Sequence, residues 1–266
     1  MLDAFADAPG VEIVAVSRRP ILRERLSANA SWVEIDISAA PEDTYARIGR
    51  PDVLLHLAWD GLPNYQSSRH LETELPVQVA FLKGLVEAGL PSLVVAGTCY
   101  EYGLIEGELV EGAAGPLTNV YARAKFALYE MLCGMKETHP FALTWARLFY
   151  LWGPGQATGS LFGLLRAAVE RGDERFPMSK GDQLRDYLPV EEAASILVAL
   201  AMLGKDIGLV NLCSGQPISI RSLVEHWLQD YGWPLELEFG ALPYAEHEPF
   251  AFWGSTRKLN SVLGRG

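Results

Sequence analysis

The chain has 266 residues, 49% apolar and 21% charged, enough to bury the core of one large domain or of a domain with a smaller lobe. A formal net charge of −11 excludes nucleic acid and anionic membrane surfaces as general partners, so an anionic ligand needs a local basic pocket. Three cysteines without a Cys-x-x-Cys pair and five histidines without ligand spacing indicate neither a disulfide framework nor a metal site. With no signal peptide and no apolar run near ~20 residues, a cytoplasmic location fits.

From the amino terminus, Met1 to Ala8 read as the end of an amphipathic helix stopped at Pro9-Gly10, and Val11 to Val16 as a strand. That strand runs into Ser17-Arg18-Arg19, whose arginines either suit a phosphate or stand as solvated loop charges. A helical stretch follows from Ile21 to Leu26, and VEIDIS (Val33 to Ser38) is the next strand. DVLLHLA (Asp52 to Ala58) is apolar enough for a central strand, with His56 as a hydrogen-bonded core residue. Trp59 to Ser68 reads as a loop, and Leu71 to Gly89 as a long helix interrupted by Pro76.

The apolar run from Leu93 hands over at Gly97 to polar and aromatic residues, as a buried parallel strand does at its carboxyl end, where open α/β sheets bind ligands. Pro116 and Asn119 open a helix to about Met135, which sets Tyr121 and Lys125 one turn apart on one face. A phenol of pKa ~10 relays protons poorly at neutral pH unless a nearby cation stabilises the phenolate, and Lys125 is placed to be that cation. Such a spacing is common in a chain with ten tyrosines; the strand-end Thr98, whose hydroxyl can hold a substrate oxygen, sets this pair apart. Phe141 to Phe149 reads as a buried strand, Ser160 to Arg171 as a helix and Arg175 to Lys180 as a strand. Val190 to Leu203 reads as a helix, and Leu209 to Cys213 returns to the sheet.

The blocks Thr98 to Gly103, Tyr121 with Lys125, VEIDIS, DVLLHLA, ARLFYLWGPGQ (Ala146 to Gln156), RDYLPV (Arg185 to Val190) and NLCSGQPISIRSLV (Asn211 to Val224) are similar in order and spacing to the extended short-chain dehydrogenase/reductases. This is the NAD-dependent epimerase/dehydratase family of sugar-nucleotide enzymes. The resemblance implies an α/β fold: a doubly wound, parallel Rossmann-type sheet with a smaller substrate lobe. Residues 1–152 plus 182–215 would bind the dinucleotide and 153–181 plus 216–266 the sugar nucleotide. The family's first strand and glycine-rich turn have no counterpart before Val11, so the resemblance also predicts an incomplete sheet.

The resemblance carries roles to single residues. Thr98, Tyr121 and Lys125 would be catalytic. Ser17, Arg18, Arg19, Asp36, Ile37, Leu57, Ala58, Tyr121, Lys125 and Phe149 would contact the cofactor, and Thr98 and Arg185 the substrate, Arg185 at the diphosphate or else in a structural pair with Asp186. Arginines after the first strand tilt the cofactor toward NADP over NAD. Gln78 stands where relatives carry a cofactor-side Asn. Cys99 and Tyr100 replace the carboxylates of the dehydratases, which argues against dehydration. The implied activity is NAD(P)-dependent oxidation or reduction at C4 of a nucleoside-diphosphate 6-deoxyhexose, as in deoxysugar 4-dehydrogenases. The alternatives are a 4-epimerase with retained NAD and a non-catalytic truncated binder. A homodimer through the helix of the Tyr-Lys pair and the one before it is also implied.

Overall fold

The computed structural model describes residues 1–5, 10–20, 26–244 and 249–265. Its first half runs α1 (Leu2–Phe5), β1 (Ile13–Ser17), β2 (Ala30–Glu34), α2 (Thr44–Arg47), β3 (Leu54–His56), α3 (Leu75–Glu87), β4 (Ser92–Thr98), β5 (Gly107–Leu109) and α4 (Val120–Met135). Then come β6 (Ala142–Leu148), β7 (Tyr150–Trp152), α5 (Leu161–Arg171), β8 (Arg175–Met178), β9 (Leu184–Pro189) and α6 (Val190–Leu203). The chain closes with β10 (Gly208–Leu212), β11 (Pro217–Ser219), α7 (Ile220–Tyr231), β12 (Glu236–Phe239), β13 (Phe252–Gly254) and α8 (Arg257–Leu263).

Strands alternating with helices build a parallel sheet of order β10-β6-β4-β3, with Leu54 opposite Leu93, Ser92 opposite Ala142 and Gly208 opposite Thr144. β4 is covered on both faces, as the apolar run predicts: Leu93 and Val95 join Leu82, Leu128 and Trp145 on the α3/α4 side, while Val94 joins Ile196, Leu197 and Val210 on the α6 side. β1 and β2 form a separate parallel pair, Ile13 opposite Ala30. Val14, Val16 and Val33 pack on the same apolar cluster as Leu54 and Leu93, yet no ladder bond joins β1 to β3 among the described residues.

Three boundaries differ from expectation. In VEIDIS the strand ends at Glu34, because the Asp36 carboxylate accepts from Ser38 N at 2.9 Å and turns the backbone into a short 3-10 turn over Ile37–Ala39. DVLLHLA contributes only Leu54–His56 to the sheet. Pro76 does not break a helix; a π-turn at His70–Glu74 runs directly into α3, and Pro76 sits just past their junction. The expected helix from Ile21 falls, except for Leu26, outside the described residues, as do the last residues of the first helix and Pro9.

β7, β9 and β11 form one small sheet and β8 with β12 another; around them Phe162, Leu165, Met178, Val224 and Trp227 make a second core with α5 and α7. The chain then pairs β13 with β5 in a separate two-stranded sheet, and Leu259 of α8 packs with Val210 of the main sheet.

His56 occupies the core role expected of it. Its Nε2 lies 2.5 Å from Gln78 Oε1, and Gln78 Nε2 donates to Glu74 Oε2 at 3.2 Å, so Gln78 faces this buried chain rather than a ligand. Burial, then repulsion from Lys125, lowers the His56 pKa from 6.5 to about 4, while the Gln78 bond opposes. An unfolded chain takes that proton near 6.5, so this contribution is intact above 6.5 and is lost as pH falls toward 4, on the order of 3 kcal/mol. Urea unfolding between pH 7 and 4.5 is expected to give a flatter pH dependence for His56→Gln than for wild type; equal slopes would count against this account.

Candidate active site

The carboxyl ends of β4 and β6 open onto a cleft of about 430 Å³ whose walls include Trp59, Thr98, Tyr121, Lys125, Phe149 and Gln156. Asn119 caps α4 by accepting from Ala122 N at 2.7 Å, which fixes the first turn and points Tyr121 and Lys125 inward, 7% and 2% exposed. Tyr121 N also donates to Tyr65 O at 3.0 Å, tying the 59–68 loop to the start of α4. The Tyr121 ring stands among Trp59, Tyr65 and His70, with centroids 5.7, 5.7 and 5.3 Å away.

Lys125 Nζ lies 4.5 Å from the centroid of the Trp59 ring and 5.2 Å from that of Trp145, an ammonium seated on two indole faces. Burial lowers its pKa to about 8, and the Glu101 carboxylate opposes that fall. The phenol of Tyr121 is shifted upward, by burial first and then by Glu101. This corrects the expectation that Lys125 brings the phenol down: the ammonium is held over the indoles, and desolvation of the phenolate outweighs it. Thr98 Oγ1 accepts from Tyr100 N at 3.3 Å, leaving its hydroxyl hydrogen to donate. Cys99 borders the cleft, but burial pushes its thiol up to about 12, so it is no nucleophile.

Glu101 faces away from the cleft, on a 3-10 turn that follows Thr98. Its buried carboxylate accepts from Thr98 N at 2.8 Å, from Trp145 Nε1 at 3.1 and 2.9 Å and from Arg147 Nε at 2.9 Å.

The residues expected to meet a cofactor are strung along one edge, where β1 to β4 end. Leu57 follows β3 and lines the cleft with Thr98, Tyr121, Lys125 and Phe149; Ala58 next to it is exposed and Phe149 is buried against Tyr102 and Phe252. Ser17 ends β1, its hydroxyl accepting from Trp32 Nε1 at 2.9 Å and donating to Arg19 O at 2.6 Å. Arg18 and Arg19 are exposed, and Arg18 faces Asp60 at 3.5 Å, a carboxylate shared with Arg69 at 3.2 Å. Asp36 and Ile37 follow β2, and the Ser38 bonds, with a smaller contribution from Arg18, hold the Asp36 carboxyl below its ordinary range. Arg185 is not in the cleft wall: it is 2% exposed, donates to Leu184 O at 2.9 Å and Phe250 O at 3.1 Å, and lies over the Phe252 ring. Asp186 beside it accepts from Ser214 N at 2.7 Å, Gly215 N at 2.9 Å and Gly254 N at 3.2 Å.

A dinucleotide fits this edge in part. Lys125 is a buried cation facing the cleft whose ammonium donates no hydrogen bond among the described residues, which suits ribose hydroxyls, and Phe149 gives a flat apolar wall for a nicotinamide. No glycine-rich turn leads from these strand ends into a helix among the described residues. Among the described residues no group of side chains suits a metal ion, and no helix is long and apolar enough to cross a membrane.

Sequence reasoning assigned no cofactor or substrate contact to Trp59, Tyr65, Tyr100, Tyr150, Gln156 and Tyr187, which line the cleft. Three of them were detectable, since Trp59, Tyr100 and Tyr150 each lie one to three residues past the end of a parallel strand, where a large ring faces a ligand rather than the core. Gln156 Nε2 donates to Leu151 O at 2.8 Å, which fixes the amide orientation and leaves Oε1 buried without a partner. An orphan acceptor at a cleft wall is a place for a ligand donor.

A model of the NAD dependent epimerase/dehydratase family matches residues 1–213. The dTDP-6-deoxy-L-talose 4-dehydrogenase (NAD(+)) of Aggregatibacter actinomycetemcomitans is 27% identical over 205 residues, 77% of this chain and 75% of that protein. A UDP-glucuronic acid 4-epimerase from Bacillus cereus, solved with UDP-glucuronic acid and NAD, superposes with a TM-score of 0.82 at 17% identity, covering 100% of this chain and 88% of the other. RMD from Pseudomonas aeruginosa, solved with NADPH, gives a TM-score of 0.72 at 23% identity, covering 88% and 84%.

Proposed function

The chain belongs to the NAD dependent epimerase/dehydratase family, and from that premise we propose that it is a cytoplasmic oxidoreductase working at C4 of a nucleoside-diphosphate 6-deoxyhexose. The observation that carries this reading is the cleft itself, where a strand-end hydroxyl, a phenol and a buried ammonium meet. Residues 153–181 and 216–266 serve as the sugar-nucleotide lobe. Thr98 holds the C4 oxygen, and Tyr121 exchanges a proton with it. Lys125 supplies the positive charge beside the phenol and donates to cofactor ribose hydroxyls. Phe149 would form a wall for a nicotinamide, which when bound would supply or receive the hydride, and the protein's share would be to orient it. The tyrosine and tryptophan rings exclude water and offer flat faces to a pyranose, and Gln156 Oε1 accepts from a donor on the ligand. Arg185 reaches the diphosphate only by leaving the Leu184 and Phe250 carbonyls, so its clamp on the 250–252 segment is the role that its contacts support.

We assign NADP as the preferred cofactor on Arg18 and Arg19, which sit where β1 ends with no acidic residue beside them in sequence. Asp60 competes for Arg18, so the preference over NAD is modest. With a dTDP-4-keto-6-deoxyhexose as oxidant, purified protein is expected to consume NADPH faster than NADH at equal concentration. Arg18→Ala should lower kcat/KM for NADPH about tenfold and leave NADH nearly unchanged. Interconversion of two 4-hydroxy sugars with no net change in cofactor absorbance would instead identify an epimerase. A homodimer through α3 and α4 is proposed with it, the exposed Met131 lying on α4, and light scattering that shows only monomer would remove that part.

A further inference from the structure

We propose that Glu101 is a positioning residue for the Tyr121–Lys125 pair, holding Thr98 and Trp145 from beneath the cleft so that Lys125 keeps its seat as a cation. The inference rests on the reading of Lys125 as a catalytic group.

The geometry begins with a cost. Glu101 is 3% exposed, and a carboxylate so buried is expensive even when paired. The Arg147 bond neutralises it, yet a buried ion pair gives little net stability over apolar side chains of the same volume, so stability alone does not explain a charge here. Its bonds show where the charge acts. One oxygen receives the backbone N–H of Thr98, which fixes the strand end that carries the substrate-facing hydroxyl. Both oxygens lie within bonding distance of Trp145 Nε1, and the face of that same indole supports Lys125 Nζ. A carboxylate on the indole N–H pushes electron density onto the ring and strengthens its hold on a cation. Glu101, Trp145, Lys125 and Tyr121 thus form one line from the core to the cleft.

Other titratable groups border the helix that carries Lys125. His56 on β3 is neutral near pH 7, His70 accepts from Trp59 Nε1 on its Nδ1, Glu74 in the π-turn bonds Asp60 N and Gln78, and Arg147 on β6 is paired with Glu101 itself. Glu101 is the charge that bears on the ammonium, holding its pKa up against burial.

The test reads Lys125 directly, without ligand, by following its Nζ and Cε resonances against pH in lysine-labelled protein, assigned by comparison with Lys125→Arg. Wild type is expected to titrate near pH 8. In Glu101→Gln the midpoint should fall by about one pH unit or more. Trp145→Phe, which keeps the carboxylate and removes the connecting N–H, should give a smaller fall in the same direction, and Glu87→Gln on the exposed end of α3 should give none. If Glu101→Gln leaves Arg147 unpaired and unfolds the chain, Glu101→Gln with Arg147→Met removes both charges and should still show the fall. An unchanged midpoint in the folded variant overturns the proposal. Because no sugar nucleotide or cofactor enters the titration, a failure of the reaction assigned above leaves this result standing on its own, and the reverse also holds.

Discussion

A Tyr121→Phe variant is expected to lose about a thousandfold in kcat while folding as wild type does, because on the proposed reaction the substitution removes only the atom assigned to exchange a proton with the C4 oxygen. The phenyl ring keeps its packing among Trp59, Tyr65 and His70, and the backbone bond from residue 121 to Tyr65 O is unaffected. Thermal midpoint and KM for the sugar nucleotide should therefore stay close to wild type, and the loss should appear at every pH. A phenol already shifted up by burial reinforces the expectation: the group is kept protonated at neutral pH, ready to give its proton to a developing alkoxide, and Phe has nothing to give. Retention of more than a tenth of wild-type kcat would remove Tyr121 from the reaction.

A large loss of stability is expected from Gly97→Ala. Gly97 lies in β4 opposite Arg147, and a Cβ there would overlap Trp145 Nε1, come within 2.8 Å of Trp145 Cδ1 and stand 2.9 Å from Glu101 Oε1. None of these atoms can retreat cheaply, since the indole is bonded to the carboxylate and the carboxylate to Thr98 N and Arg147. Overpacking of this kind costs about 3 kcal/mol, which lowers Tm by roughly 10 °C in a chain of this size. Moving the indole also moves the seat of Lys125, so activity should fall in the fraction that remains folded. The contrast is Gly134→Ala on α4, where a Cβ would meet nothing within 4 Å; there Tm should hold or rise slightly, because Ala is the better helix former. A Gly97→Ala variant as stable as wild type would show that the strand end has room that the contacts deny.

Residues whose role follows from chain periodicity are legible in the amino-acid order alone. The β4 run, the Asn119 cap and the four-residue step from Tyr121 to Lys125 need only local rules, and β4, α4, β6, α5 and α6 stand within a residue or two of their expected bounds. What is not legible depends on contacts distant in sequence. Asp36 favours a side-chain turn over the ladder, a competition that hydrophobic pattern does not register. The short pairing of β5 with β13 joins Gly107 to Phe252, and its three-residue strands carry too little pattern to be noticed. That Glu101 faces Arg147 and Trp145 follows only from how β4 and β6 align. Likewise Arg185 resembles a ligand-binding arginine in sequence, and the two carbonyls that occupy it come from its own neighbour and from residue 250.

Among the described residues no ladder bond joins the strand pair that ends at Ser17 to the rest of the sheet; apolar side chains and the Arg18–Asp60 ion pair make the contact. Side-chain contacts without shared backbone bonds tolerate sliding better than a continuous ladder does, so this end of the molecule is the cheaper one to deform. A molecule that grips Arg18 with one end and the Tyr121 helix with the other would act as a staple across that seam. Part of its binding energy would then be spent on locking two pieces together, and its measured affinity would understate the strength of its individual contacts.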